Sequence, residues 1–549
     1  MKKVIYIVIL IVVAVVCFFI GKSLTAQAPA APEYTLDSST EASTVTTTSG
    51  KICGFIENGI YTYKGVPYAE AARFEKAQAP KAWEGVRSSR YYGPTCPQSF
   101  RTGWYNDEGA YYTQWDDGYP GEDCLRINIW TPGINDGKKR PVMFWIHGGG
   151  FATGSGQEHP GYDGHNMAAK GDVVFVTINH RLNTLGFLDL SAFGDKYATS
   201  GNNGMLDIVA ALEWVRDNIA NFGGDPGNVT IMGQSGGGGK VSTLYCMESA
   251  KGLFHRAVVQ SGAMIGSMQK EYSQAIGKRT AQILGLNAKT IDKIQTLPYE
   301  TVRDANVQAT AQIKEEAIKS GKIAALDAMM FGWAPVVDGD VLKDVPFHNG
   351  IELLNNDVPI MIGTTLNEFP GYMGGAEPAT WDAAVEEAAK TYGDRAADII
   401  AAYQEAYPNA EPKDFFRLDV IFRPGTIEQA DIKANDGGAP VYMYMFNYVA
   451  PTIDGKYLAP HCAEIAFAFN NVMHSANMTG GTAEGVKLGG EVSDAWLNFA
   501  RTGNPNAESL PTWDAYTVED GAIMIFDAPE CYQRTGNFDR KLMDLITGK

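Results

Sequence analysis

The stretch 228–244, NVTIMGQSGGGGKVSTL, restricts what this chain can fold into more than any other segment. Residues 229–232 are β-formers bounded by turn residues, and the segment beyond the glycines can run as a helix, so the order is strand, sharp turn, helix. Gly233, Gln234, Ser235, Gly236 and Gly237 fit the pattern G-x-S-x-G, in which a strained turn presents a serine hydroxyl at a strand end. Glycine is needed on both sides because the two backbones pass too close for a Cβ atom. Taken alone, the pattern also describes an ordinary glycine-rich turn. Position argues otherwise: residues 236–239 stand where a helix should begin, at a cost of about 1 kcal/mol each against alanine in a helix interior. A local violation of that kind points to a functional demand.

A second glycine run lies upstream, in residues 141–156, PVMFWIHGGGFATGSG. Residues 142–146 form an apolar run of strand length, and His147, Gly148, Gly149 and Gly150 follow at its end. The run resembles the HGGG loop of esterases and lipases, whose backbone N–H groups join the one after the nucleophile. The N–H groups of Gly149, Gly150 and Gly236 are therefore expected to form an oxyanion hole. Each such donor is worth about 2.7–4 kcal/mol of transition-state stabilisation in related systems. His147 reads as a structural residue rather than a catalytic one.

An acid and a base should follow Ser235 in that order. The histidines available are His255, His348, His461 and His474. The base should sit on a loop after a late strand with room for an acid before it, which disfavours His255. Residues 441–449, VYMYMFNYV, are a strong strand candidate, and His461 follows after a short turn-rich stretch. His474, in the polar segment NNVMHSAN, is the fallback. For the acid, the apolar run 358–364, VPIMIGT, leads to Glu368; Asp338 and Asp340 are rivals that also suit turns. The expected division of labour is attack by Ser235, proton transfer by His461 and orientation of the imidazole by Glu368. Nucleophile, base and oxyanion donors are all protein groups, so no metal or organic cofactor is required.

The 549 residues are 45% hydrophobic and 20% charged, enough to bury a large core. A formal charge of −18 repels phosphate backbones and makes nucleic acid an unsuitable partner. Lys2 and Lys3 precede an apolar stretch over 4–21, which reads as an export signal, either removed or kept as a membrane anchor. The expected organisation is a signal or anchor over 1–28, a flexible Ala/Pro/Ser/Thr-rich tether over 29–50 and one catalytic domain over 51–549. The protein is thus expected to be secreted, periplasmic or tethered by residues 4–21. Export permits disulfides, and Cys96 with Cys124, closely spaced in loop-like surroundings, is the best candidate pair; Cys53, Cys246, Cys462 and Cys531 stay unassigned.

At this point the chain resembles the type-B carboxylesterase and cholinesterase family. The blocks that carry the resemblance include KGVPYA (64–69), EDCLRINIW (122–130), NHRLNTLGF (179–187), ALEWVRDNIANFGGDPGNVT (211–230), HCAEIAFAF (461–469) and AWLNFARTGNPN (495–506). The resemblance implies the α/β-hydrolase fold, a mainly parallel central sheet flanked by helices, with long loop and helical excursions around an active-site gorge and the site at the carboxyl ends of the strands. It places Ser235, Glu368 and His461 on the catalytic positions, and Cys96 with Cys124 on a disulfide closing a loop over the entrance. Trp104, Tyr105, Tyr111, Tyr112 and Trp115 lie within that loop, as gorge lining or as loop packing. Gln234 and Gly236 depart from the Glu and Ala of many relatives, which argues against choline esters; Cys462 beside the base is another departure. The implied activity is hydrolysis of a small carboxylic ester through an acyl-enzyme on Ser235. An amidase or peptidase using the same groups, or a catalytically silent adhesion relative, are the alternatives.

Overall fold

The computed structural model describes residues 34–99, 107–116, 118–263, 267–322, 331–348, 353–369 and 376–549. The expected signal or anchor over 1–28 lies outside these residues, as do Trp104 and Tyr105. No helix among the described residues is long and apolar enough to cross a membrane.

Strands such as Val174–Asn179, Ile360–Thr365 and Val441–Phe446 are buried at every position, which is why they read as continuous apolar runs rather than alternating ones. They belong to a 12-stranded sheet. Its centre is parallel, in the order Val174–Asn179, Arg140–Ile146, Gly224–Gln234, Arg256–Gln260, Ile360–Thr365, Val441–Phe446, Ile523–Phe526. Antiparallel strands finish both edges, Arg126–Thr131 pairing with Val174–Asn179 and Tyr532–Arg534 with Ile523–Phe526. Because successive side chains alternate between faces, Phe144 and Ile146 join one hydrophobic core while Met143 and Trp145 join a second. Helices Asn203–Asn218 and Gly236–Tyr245 bury residues in the first core, and Ala483–Thr502 in the second. This is the α/β-hydrolase architecture.

Two expectations are corrected here. The described part of the supposed tether, 34–50, is folded: Leu36–Asp37 pairs antiparallel with Phe55–Glu57, and Thr44–Thr47 with Gly50–Cys53. Ser43 and Val45 are buried, and the Ser43 hydroxyl donates to the carbonyl of Gly54 at 2.9 Å. Serine and threonine tie this segment down through main-chain pairing and hydroxyl hydrogen bonds, which composition alone does not reveal. The expected disulfide is absent: Cys96 and Cys124 are both free and buried. The thiols are hydrogen-bonded neighbours, an interaction that together with burial holds Cys124 well above its ordinary pKa, and Cys96 Sγ also accepts the N–H of Leu182 at 3.3 Å.

Candidate functional site

The strand Gly224–Gln234 ends in Ser235, whose φ of 57° and ψ of −127° lie where a side chain is strained, and the helix Gly236–Tyr245 starts at the next residue. Glycine makes this possible. A Cβ on Gly237 would stand 2.1 Å from the carbonyl oxygen of Ile146, and one on Gly236 would stand 2.2 Å from that of Gly150. The turn is pinned by the Ser235 N–H donating to Gln260 at 2.8 Å and by the Gly239 N–H donating to Ser235 at 3.0 Å. Gly149 and Gly150 have positive φ, and the Thr153 N–H closes their turn onto the Gly149 carbonyl at 3.1 Å. The expected oxyanion residues Gly149, Gly150 and Gly236 therefore converge beside Ser235, with Gly236 at the first turn of a helix, where N–H groups lack intrahelical partners.

Glu368 and His461 hang from the loops after Ile360–Thr365 and Val441–Phe446, and main-chain bonds zip the two loops together. The His461 N–H donates to the Glu368 carbonyl at 2.8 Å, and the Asn367 N–H to that of Ala459 at 3.2 Å. A short hydrogen bond joins His461 Nδ1 to Glu368 Oε2, and the other carboxylate oxygen accepts the Thr365 N–H at 2.9 Å. The ring lies parallel to Phe422 with centroids 5.2 Å apart, and Phe369 tilts against it at 4.8 Å. Ser235 and His461 line one cavity of about 190 Å³ together with Gly148, Gly149, Trp115 and Phe369. Among the described residues the Ser235 hydroxyl makes no direct hydrogen bond to the ring, a separation that apo sites often show before substrate arrives.

The rival residues go elsewhere. Asp338 accepts the N–H groups of Asp340 and Val341 in a turn, His474 is exposed, and His255 Nδ1 accepts the Val229 N–H midway along the elbow strand, away from Ser235. His147 is buried beneath the glycine loop. Of the aromatics between the two cysteines, Trp115 reaches the cavity, Tyr112 packs on Tyr457 and Tyr111 is exposed. Among the described residues no group of three or more His, Cys, Asp or Glu side chains is placed to hold a metal ion.

Three features escaped sequence reasoning. Gln234 Nε2 lies 3.2 and 3.3 Å from the two nitrogens of His461, while its Oε1 accepts the Cys462 thiol at 3.2 Å, so two of the departures noted in the sequence, Gln234 and Cys462, meet in one contact. Burial pushes the Cys462 thiol well up, keeping it a donor. Second, Glu368 has two buried carboxyl neighbours: burial first, then the Glu368 charge, raise both Glu464 and Asp419 to about 7. Asp419 accepts the N–H groups of Ile421, Phe422 and Arg423, which places Phe422 on the imidazole. No signal in the sequence could have linked Asp419 to His461. Third, Lys240 is fully buried under the glycine loop; a lone lysine in the first turns of a small, apolar helix was the available sign.

Comparison with known proteins agrees with this fold. The sequence profile of the carboxylesterase family matches residues 41–542. The chain belongs to the carboxylesterase family. This carboxylesterase is 36% identical over 499 residues to the para-nitrobenzyl esterase of Bacillus subtilis (strain 168), covering 88% of this chain and 94% of that protein. It is 33% identical to the phenmedipham hydrolase of Pseudarthrobacter oxydans, over 87% of this chain and 94% of the relative. Among solved structures, an esterase from the anaerobe Clostridium hathewayi that can hydrolyze aliphatic aromatic polyesters superposes with a TM-score of 0.81 at 36% identity, over 94% of this carboxylesterase and all of that chain (100%).

Proposed function

We propose that this carboxylesterase cleaves uncharged aromatic esters through an acyl-enzyme on Ser235. The Ser235 hydroxyl oxygen bonds to the ester carbonyl carbon while His461 Nε2 takes its proton, and Glu368 stabilises the imidazolium through Nδ1. The carbonyl oxygen, now negative, is received by the N–H groups of Gly149, Gly150 and Gly236. The ester bond breaks, the alcohol leaves with the proton from His461, and water repeats the sequence to release the acid and free Ser235. The observation that carries this reading is that a strained serine and a carboxylate-bound histidine line the same cavity.

Trp115 and Phe369 in the cavity wall favour aromatic groups, and the para-nitrobenzyl esterase and the polyester-cleaving esterase among the relatives support the same class. The lysines at 2 and 3 and the apolar run 4–21 support export, to the medium or periplasm or to a membrane tether. Treatment with a fluorophosphonate tests the nucleophile: peptide mapping should find one phosphonyl group on Ser235, with loss of fluoride. A label on another residue, with activity abolished, overturns the assignment. Matched aryl ester and anilide substrates separate esterase from amidase, and a faster anilide overturns the ester preference.

A further inference from the structure

The glycine run after Ser235 does more than form the elbow. Without Cβ atoms, the first turn of the helix Gly236–Tyr245 lies against the end of the strand Arg140–Ile146, and the next residue, Lys240, passes beneath the glycine loop. Its side chain is 0% exposed. Burying an ammonium group is costly unless it is well partnered. Here its hydrogen bonds go to main chain: Nζ donates to the carbonyl of His147 at 3.1 Å and to that of Gly148 at 3.5 Å, with the Phe151 ring centroid 5.6 Å away.

The Gly148 carbonyl is the other end of the peptide unit that carries the Gly149 N–H. A second donor converges on the same oxygen, because His147 Nδ1 lies 3.1 Å from it. A carbonyl oxygen only accepts, so the proton belongs on Nδ1, and among the described residues His147 Nε2 has no partner. Burial, then the Lys240 charge, hold the imidazole well below its ordinary pKa and keep it neutral. Donors on a carbonyl oxygen polarise the amide and strengthen the N–H at its far end. They also fix the plane of the peptide, so that the donor needs no rearrangement when negative charge develops in the cavity.

We propose that Lys240 is a positioning residue for the oxyanion hole, acting through the Gly148–Gly149 peptide. This rests on the reading that Gly149 receives the substrate oxygen. Neither the elbow nor the glycine loop by itself calls for a buried amine here; Lys240 adds N–H donors behind the loop, and burial pulls its own pKa down to about 7.

The test compares wild type with Lys240→Met, which keeps the length and loses the N–H donors, and Lys240→Gln, which keeps an N–H donor. The readouts are kcat and KM on an aryl acetate, the inhibition constants of an aryl trifluoromethyl ketone and of its methyl ketone counterpart, and melting temperature. The trifluoromethyl ketone adds the Ser235 oxygen to its carbonyl carbon and leaves a negative oxygen in the hole; the methyl ketone reports ground-state binding. Lys240→Met should lower kcat about 10- to 100-fold, part of what losing a whole donor costs, and weaken the trifluoromethyl ketone by a similar factor with KM and the methyl ketone little changed. Lys240→Gln should fall between the two. Folded variants with wild-type kcat and trifluoromethyl ketone affinity, or with KM alone raised, overturn the role of Lys240. Should the Met variant not fold, the Gln variant is judged by the same outcomes. Wild-type enzyme that prefers the trifluoromethyl ketone no more than the methyl ketone overturns the oxyanion reading itself, and Lys240 with it.

Discussion

On one side of the cavity Ser235 is held by main chain: glycines pack backbone to backbone, and the N–H and carbonyl of the elbow bond to Gln260 and Gly239. On the other side His461 is gripped largely by side chains, between the carboxylate of Glu368, the rings of Phe369 and Phe422 and the amide of Gln234. The side of Ser235 holds its geometry through shape, and its weakness is any added atom. The side of His461 holds its geometry through charge and stacking, with Glu464 and Asp419 buried near Glu368, and its weakness is protonation.

The comparison breaks first at the reacting groups. Ser235→Ala should lower kcat on an aryl ester by about 10⁶, as loss of a triad nucleophile does elsewhere, with an unchanged melting temperature. Turnover near wild type would remove Ser235 from the chemistry. Glu368→Gln should cost about 10⁴ in kcat, because an amide keeps the shape but cannot stabilise the imidazolium. An equal loss of stability and rate would instead make Glu368 a packing residue.

Smaller effects should separate the two sides by kind. Gly237→Ala places a methyl group 2.1 Å from the Ile146 carbonyl, and overpacking of this sort should destabilise by about 1–3 kcal/mol or more in urea unfolding, at acid and neutral pH alike. Glu464→Gln should act only through pH. Its carboxyl pKa is raised to about 7 in the folded protein by burial and then by Glu368, so the folded state prefers the protonated form. That preference stabilises fully below the unfolded-state pKa and is lost as pH rises through the folded-state one. The glutamine variant should therefore melt above wild type at pH about 8, with the difference shrinking toward pH about 5. A pH-independent difference would show that Glu464 contributes by packing, like the glycines.

The legibility of the site follows the same division. The elbow and the glycine loop are local patterns, because backbone that must pass close to backbone demands glycine at adjacent positions. Glu368 and His461 were found through the apolar strands that precede them and through family resemblance. Their supports were not legible: Gln234 comes from the elbow and Asp419 with Phe422 from a distant loop, and no spacing rule joins either to His461. The segment 34–50 was misread because its few apolar residues concealed strands secured by main-chain pairing.

By itself the sequence determined the kind of chemistry to expect, a serine presented on a strand-to-helix turn at the end of an apolar strand, since those demands are written in short stretches of glycine and apolar residues. Only the tertiary structure decided how that chemistry is supported. It brought Lys240 under the Gly148–Gly149 peptide, stacked Phe422 on His461, turned Gln234 toward Cys462 and left Cys96 and Cys124 as neighbouring free thiols. Those contacts join residues far apart in the chain, and their energies depend on burial and distance, which exist only once the sheet has assembled.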